Sequence, residues 1–132
     1  MRYMLDTNIC IYIINNKPPK IINRFKKEYI GNIVISSITL AELKFGAYNS
    51  GNPSKNLSAI TKFTSPIEVL EFNEVASDYF GQVKSHLKAS GNMIGQFDML
   101  ISAHALQESC ILITNNIKEF ERVPNLIVEN WI

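Results

Sequence analysis

The chain is poor in the residues that build most structural metal and redox sites. Among its 132 residues there are only two cysteines and two histidines, and no pair of them has the spacing of a zinc site. Cys10 and Cys110 each lie within an apolar run, as small buried residues do, and this favours a reducing compartment. The sequence therefore argues against a disulfide scaffold and against zinc.

Long apolar runs and a strong net charge are also missing. The longest apolar run covers residues 9–14, which is far too short to span a bilayer, and the first residues lack the features of a signal peptide. We therefore expect a cytoplasmic protein without a membrane segment. The net charge is only +1, so any affinity for nucleic acid must come from a local basic patch.

Short apolar runs alternate with segments of helical periodicity along the whole chain. Strands are predicted at residues 2–6, 33–35, 69–70, 111–113 and 126–128. Helices are predicted at 9–14, from Pro18, at 40–48, 53–64, 73–91 and 95–106, with a helical turn at 118–120. This alternation predicts a single α/β domain over residues 1–132 with a mainly parallel sheet. No glycine-rich loop follows the first strand, which argues against a dinucleotide-binding domain.

Four isolated acids occupy comparable places in this pattern. Asp6 ends the first apolar run, Glu42 follows the second, Asp98 opens an apolar helix and Glu119 follows the 111–113 run. In a parallel sheet the strand-to-helix turns share one edge, so these carboxylates should converge there. Carboxylates ~4 Å apart repel by about 4 kcal/mol per pair. Because three such pairs rival the roughly 5–15 kcal/mol stability of a domain, a hard cation such as Mg²⁺ or Mn²⁺ is predicted to offset the repulsion.

Each acid also has a purely structural explanation. Asp6 can cap the first helix, and Asp98 can sit in a first turn, where the helix dipole favours negative charge. Thr39 with Glu42, and Asn116 with Glu119, both fit the spacing of a capping box. Taken singly each acid favours a cap, whereas the four taken together favour a metal site.

The remaining polar residues carry less weight. His86 is predicted to be a solvated surface residue and His104 a structural one. Lys118 and Arg122 flank Glu119 and are the best candidates for contact with a phosphate backbone. The other basic side chains are expected on solvated helix faces.

Four motifs in this order resemble PIN-domain toxins of the VapC type, and the resemblance covers essentially the whole chain. They are Met4-Leu5-Asp6-Thr7-Asn8, Ser36-Ser37-Ile38-Thr39-x-x-Glu42-Leu43, Gly95-x-x-Asp98 with Ala103-His104-Ala105, and Thr114-Asn115-Asn116-x-x-Glu119-Phe120-x-Arg122.

The resemblance implies a fold and an activity. The fold would be a three-layer α/β/α arrangement around a four- or five-stranded, mainly parallel sheet. The activity would be that of a Mg²⁺- or Mn²⁺-dependent endoribonuclease, with Asp6, Glu42 and Asp98 as metal-binding and catalytic acids. Thr7 and Asn8 would support the first ligand, and Thr114 would line the site.

The same resemblance implies partners. Such toxins form homodimers, are silenced by a VapB-like antitoxin and contact promoter DNA only through that antitoxin. RNA is the implied substrate, with the anticodon loop of initiator tRNA as the preferred target.

One position departs from the pattern. Many PIN domains carry an aspartate where this chain has Asn116. Either Glu119, one turn later, serves as the fourth catalytic acid, or Asn116 contributes its amide oxygen. The number of metal ions, one or two, stays open.

Two other functions stay open on the residues alone. A phosphatase of the haloacid dehalogenase type also places an aspartate after its first strand, but it needs a second aspartate where this chain has Asn8. A non-enzymatic α/β interaction module would use the acids as caps and an exposed apolar surface for a partner.

Overall fold

Five strands form one fully parallel sheet in the computed structural model, which describes all 132 residues. The order across the sheet is β3-β2-β1-β4-β5. The strands are β1 (Tyr3–Leu5), β2 (Ile33–Ser36), β3 (Glu68–Leu70), β4 (Ile111–Ile113) and β5 (Val128–Glu129). The predicted α/β class and parallel sheet are confirmed. The last strand begins two residues later than predicted.

Seven helices connect the strands and cover both faces of the sheet. They are α1 (Thr7–Ile14), α2 (Pro19–Lys27), α3 (Ser37–Tyr48), α4 (Pro53–Thr64), α5 (Glu74–Ser90), α6 (Gln96–Gln107) and α7 (Ile117–Phe120). The apolar run at residues 9–14, which the sequence alone allows as strand or helix, lies in a helix as predicted, and that helix begins two residues earlier, at Thr7. None of the helices combines the length and apolar character needed to cross a membrane.

The strands are short and nearly continuous in apolar residues because both of their faces are buried. Met4 and Leu112 point to one face, where they join a cluster with residues of α5 and α6. Leu5 and Ile113 point to the other face, where they join a cluster with residues of α1, α3 and α4. This period-two alternation produces the three-layer arrangement.

The central strand, β1, marks the point where the chain changes direction across the sheet. The chain passes from β1 through β2 to β3 on one side, and then returns to β4 on the other side of β1. Ligands of open α/β sheets bind at such a switch point, beyond the carboxyl ends of the strands. Asp6 leaves β1 at this position, and its backbone N–H donates a 3.0 Å hydrogen bond to the carbonyl of Ile113.

Candidate active site

Asp6 serves as a helix cap and lies at the centre of the acidic edge. Its Oδ1 accepts a 2.9 Å hydrogen bond from the backbone N–H of Ile9, as expected for the cap of α1. The residue is only 6% exposed. Burial raises the pKa of the Asp6 carboxyl, the neighbouring Thr114 hydroxyl opposes that rise, and the charge of Glu42 adds to it. A cap needs no such burial, so capping alone does not explain this residue.

Glu42 is held by a side chain from another helix. Helix α3 begins at Ser37 with Ser36 as its cap, so the predicted capping box of Thr39 with Glu42 is wrong. Instead, the hydroxyl of Thr7 donates a 2.6 Å hydrogen bond to Glu42 Oε1. The helix starts three residues earlier than that box required, because Ser36 accepts a hydrogen bond from the N–H of Ile38.

Asp98 lies in the first turn of α6 and shows the strongest electrostatic perturbation of the site. Its pKa is raised to about 7, first by burial and then by the charge of Glu119, with smaller contributions from Asp6 and Glu42. Gly95 stands just before the helix, and a Cβ there would lie 3.3 Å from Asp98 Oδ2. That glycine therefore leaves room for the carboxyl to fold back toward the start of its own helix.

Glu119 joins α7 to the start of α6. Its Oε1 accepts a 3.1 Å hydrogen bond from the backbone N–H of Gly95, and the side-chain amide of Asn116 donates to its Oε2. Asn116 makes no side-chain capping bond to α7, so the predicted Asn116–Glu119 capping box is also wrong. Glu119 instead satisfies a backbone donor at the beginning of the helix that carries Asp98.

The four acids lie close enough for their charges to interact, but their side chains are not arranged as a coordination shell. Asp98 is influenced by the other three, yet no three acidic or imidazole side chains are grouped to hold one ion as they stand. The donor set nevertheless fits Mg²⁺ or Mn²⁺ in its chemistry. It consists of carboxylate oxygens, and the pKa of Asp98 is raised first by burial and then by neighbouring negative charges, which a bound cation would offset.

The supporting residues lie around this cluster. Thr114 follows β4, is fully buried, and accepts a 3.0 Å hydrogen bond from the N–H of Asn116. Asn8 is exposed in the first turn of α1. Lys118 and Arg122 are both exposed, and Arg122 Nη1 donates a 3.1 Å hydrogen bond to the carbonyl of Met93.

A buried polar contact behind the site was not predicted from the sequence. His104 is fully buried on α6, and its Nδ1 lies 2.7 Å from the Ser36 hydroxyl at the end of β2. Its ring meets Phe72 edge-on, and burial lowers the pKa of the imidazole. The structural role predicted for His104 is confirmed. The partner, Ser36, ends an apolar run and opens one of the four motifs, but neither feature indicates a contact with His104.

Comparison with known proteins identifies the arrangement. The PIN domain family model matches residues 3–126. The ribonuclease VapC2 of Rickettsia felis is 46% identical over 99% of this chain and 98% of its own length. The tRNA(fMet)-specific endonuclease VapC of Shigella flexneri is 44% identical over 99% of this chain and 98% of its own.

Solved structures agree with the sequence relatives. The DNA-bound VapBC of Salmonella typhimurium superposes with a TM-score of 0.94 at 40% identity, covering 100% of this chain and 99% of the other. VapBC2 of Rickettsia felis, bound to a DNA fragment from its promoter, gives a TM-score of 0.91 at 43% identity and full coverage of both chains. The chain belongs to the PIN-domain family, among the VapC ribonucleases.

Proposed function

We propose that this chain is a Mg²⁺- or Mn²⁺-dependent endoribonuclease toxin that cleaves initiator tRNA in its anticodon loop. The observation that carries the metal dependence is the placement of four acids at the carboxyl edge of the sheet, where Thr7 holds Glu42 beside Asp6 and Glu119 bonds to the start of the helix that carries Asp98. Such a cluster binds RNA poorly while it carries uncompensated negative charge, because the scissile phosphate is negative too. A divalent ion at these oxygens removes the conflict.

Some side chains of the site would hold the ion, and others position the acids that hold it. Asp6 and Asp98 would hold it most directly, and Glu42 would complete the shell or orient water. When bound, the ion would supply positive charge at the phosphate and lower the pKa of water. Thr7 fixes the direction of Glu42, and Glu119 fixes the start of the helix that carries Asp98.

The substrate proposal rests on the named relatives. Two of them, from Shigella flexneri and Salmonella typhimurium, are called tRNA(fMet)-specific endonucleases and are 44% and 40% identical to this chain. Identity at this level over the whole length supports the same class of substrate. Because tRNA is a cytoplasmic molecule, this substrate would also place the activity in the cytoplasm.

The partner proposal rests on the solved relatives. The structures from Rickettsia felis, Salmonella typhimurium and Haemophilus influenzae are VapBC complexes, and the first two contain DNA. We infer a VapB-like antitoxin for this chain, contact with promoter DNA through that antitoxin, and a homodimeric toxin. Light scattering of the purified chain, with and without a co-expressed antitoxin, measures both assemblies directly.

A cleavage assay tests the function itself. Purified wild-type chain and its Asp6→Asn variant are incubated with initiator tRNA or an elongator tRNA, in Mg²⁺ or in EDTA, and the fragment ends are mapped. Asparagine still accepts the cap hydrogen bond from Ile9, so the variant should fold and yet lose cleavage. Discrete cuts in initiator tRNA that need Mg²⁺ are expected. Full activity in EDTA would contradict the metal dependence, and equal cutting of both tRNAs would contradict the substrate.

A further inference from the structure

Two exposed phenylalanines lie in one cavity beside the acidic cluster. Phe45 is 68% exposed and Phe97 is 51% exposed. Both line a cavity of about 460 Å³ together with Thr7, Ala41 and Glu42. The cavity thus contains the hydrogen-bonded pair Thr7–Glu42 of the candidate active site.

The two rings come from the helices that carry the acids. Phe45 lies one turn after Glu42 on α3, and Phe97 directly precedes Asp98 on α6. A molecule that fills the cavity therefore lies against both rings and Glu42. Because the two phenylalanines are far apart in the sequence, the sequence alone does not predict that they share a cavity.

Neither ring belongs to the hydrophobic core. Both lie outside the two core clusters and the hydrophobic side chains packed against them. Neither ring pairs with another aromatic ring, and neither receives a cation on its face. A single exposed apolar side chain is ordinary on a protein surface. Two free aromatic rings in the same cavity as a candidate catalytic carboxylate are a more specific arrangement.

The charge around the cavity selects the kind of contact it can make. The ion of the proposed function would attract the scissile phosphate, but Glu42 offers no attraction to the phosphates beside it, so affinity within this cavity comes from uncharged parts of the substrate. Nucleobases are uncharged, flat and apolar on their faces, and single-stranded RNA is recognised largely by stacking its bases on aromatic side chains. A phenyl ring that is more than half exposed is suited to this role.

We propose that Phe45 and Phe97 stack on unpaired bases next to the scissile phosphate and thereby position single-stranded RNA at the acidic cluster. This inference rests on the proposed ribonuclease function and names the contacts that would select unpaired RNA over a duplex. The bases of a duplex are already stacked on their neighbours and are not available to the two rings.

Phe45→Leu and Phe97→Leu test the proposal, because leucine keeps an apolar side chain and removes the aromatic face. The probe is an RNA stem-loop with the sequence of the initiator-tRNA anticodon arm. Each variant should bind it about tenfold to a hundredfold more weakly under single-turnover conditions, in line with the loss of one stacked base. The cleavage rate at saturating enzyme should change much less. Phe45→Trp should restore binding, since it restores an aromatic face.

Tyr29→Leu is the matched control. Tyr29 is 72% exposed but lies outside the cavity. Its replacement removes an equally exposed ring and should leave binding unchanged. If Tyr29→Leu weakens binding as much as the phenylalanine variants do, the effect is one of general surface hydrophobicity and the stacking role is overturned.

Stem-loops with a single abasic position distinguish stacking on a base from contact with the sugar or phosphate. At the position whose base stacks on Phe45, removal of the base should weaken wild-type binding and make wild type and Phe45→Leu equal. A penalty from Phe45→Leu that persists at every abasic position overturns the proposal. So does a Phe45→Leu chain that sediments as a monomer where wild type is a dimer, because the ring then serves a contact between copies.

The ribonuclease function and the stacking role fail in different ways. If wild type cleaves the stem-loop in Mg²⁺ and the phenylalanine variants bind and cleave it equally well, only the stacking role is lost. If wild type cleaves no RNA in Mg²⁺, the proposed function fails and the stacking role fails with it.

Discussion

The hydroxyl of Thr7 donates a 2.6 Å hydrogen bond to Oε1 of Glu42. The bond joins the first residue of α1 to the second turn of α3. It therefore connects the helix that follows β1 with the helix that follows β2. Glu42 is partly exposed and would otherwise be free to turn toward solvent. The residue next to Asp6 therefore sets the direction of a second acid.

Replacing Thr7 separates this positioning from folding. Thr7→Val keeps the shape of the side chain but removes the donor, so Glu42 should lose its fixed direction. A hydrogen bond to a charged group contributes roughly 1.5–3 kcal/mol, so the cleavage rate should fall about tenfold to a hundredfold. Single-turnover kinetics in Mg²⁺ measure this, and Thr7→Ser, which keeps the hydroxyl, should stay near wild type. Equal rates for Thr7→Val and Thr7→Ser would contradict the role.

The raised pKa of Asp98 predicts how stability depends on pH in the absence of divalent ions. The carboxyl titrates near 3.8 when unfolded and near 7 when folded. Between these values the folded chain holds a proton that the unfolded chain has released, so stability should fall as pH rises from about 4 to about 7. The loss should be complete about one pH unit above the folded pKa. Urea unfolding in EDTA across this range measures it.

The Asp98→Asn variant tests whether Asp98 causes this dependence of stability on pH. It should be more stable than wild type at pH 8 by about 1–3 kcal/mol, less than the full linkage value because solvent screens a partly exposed carboxyl. At pH 4 the two should be equal. Added Mg²⁺ should stabilise wild type at pH 8 and not the variant. If Asp98→Asn shows the same dependence of stability on pH as wild type, the titrating group is not Asp98.

The architecture could be predicted from local patterns because each strand and helix is signalled by its own residues. The apolar runs ending at Leu5 and Ile113 are buried on both faces, which is a property of parallel strands. The edge on which Asp6 lies follows from that topology alone. The start of the last strand was predicted two residues too early because β5 is only two residues long and its half-buried residues carry little periodicity.

Contacts between side chains could not be predicted in the same way. Two capping boxes fitted the sequence, but Glu42 bonds to Thr7 and Glu119 to Gly95, residues distant in the chain. A capping hydrogen bond competes with a hydrogen bond of similar strength to a residue distant in the chain. Only the packed fold determines which of the two forms. The cavity that contains Phe45 was invisible in sequence for the same reason.

Lys118 and Arg122, both predicted to contact RNA, are expected to behave differently. Lys118 is exposed and makes no hydrogen bond or ion pair with another side chain, so Lys118→Gln should weaken RNA binding and reduce its salt dependence. A slope reduced by about 0.7 in log affinity against log salt corresponds to one lost phosphate contact on a single strand.

Arg122 already donates to the carbonyl of Met93. Arg122→Gln should instead speed hydrogen exchange in residues 92–95, which lead into α6.

The two variants serve as controls for each other. Lys118→Gln should leave exchange in residues 92–95 unchanged, since the Lys118 side chain makes no hydrogen bond to that segment. If Arg122→Gln alters the salt slope and leaves exchange unchanged, Arg122 is an RNA contact and the Met93 bond has no positioning role.

Asn116→Asp tests the position at which the chain departs from many PIN domains. The side-chain amide of Asn116 donates to Glu119, and aspartate would replace that donor with a second carboxylate. In EDTA the variant should lose about 1 kcal/mol of stability, from the lost hydrogen bond and the new repulsion. Mg²⁺ should restore that stability and bind more tightly than to wild type, because the site gains an oxygen ligand of the preferred kind. Asn116→Ala removes the donor without adding charge, so it should lose stability in EDTA and gain nothing from Mg²⁺ beyond wild type. Urea unfolding and calorimetric titration with Mg²⁺ measure both, and equal Mg²⁺ affinity in Asn116→Asp and Asn116→Ala would show that this position lies outside the reach of the ion.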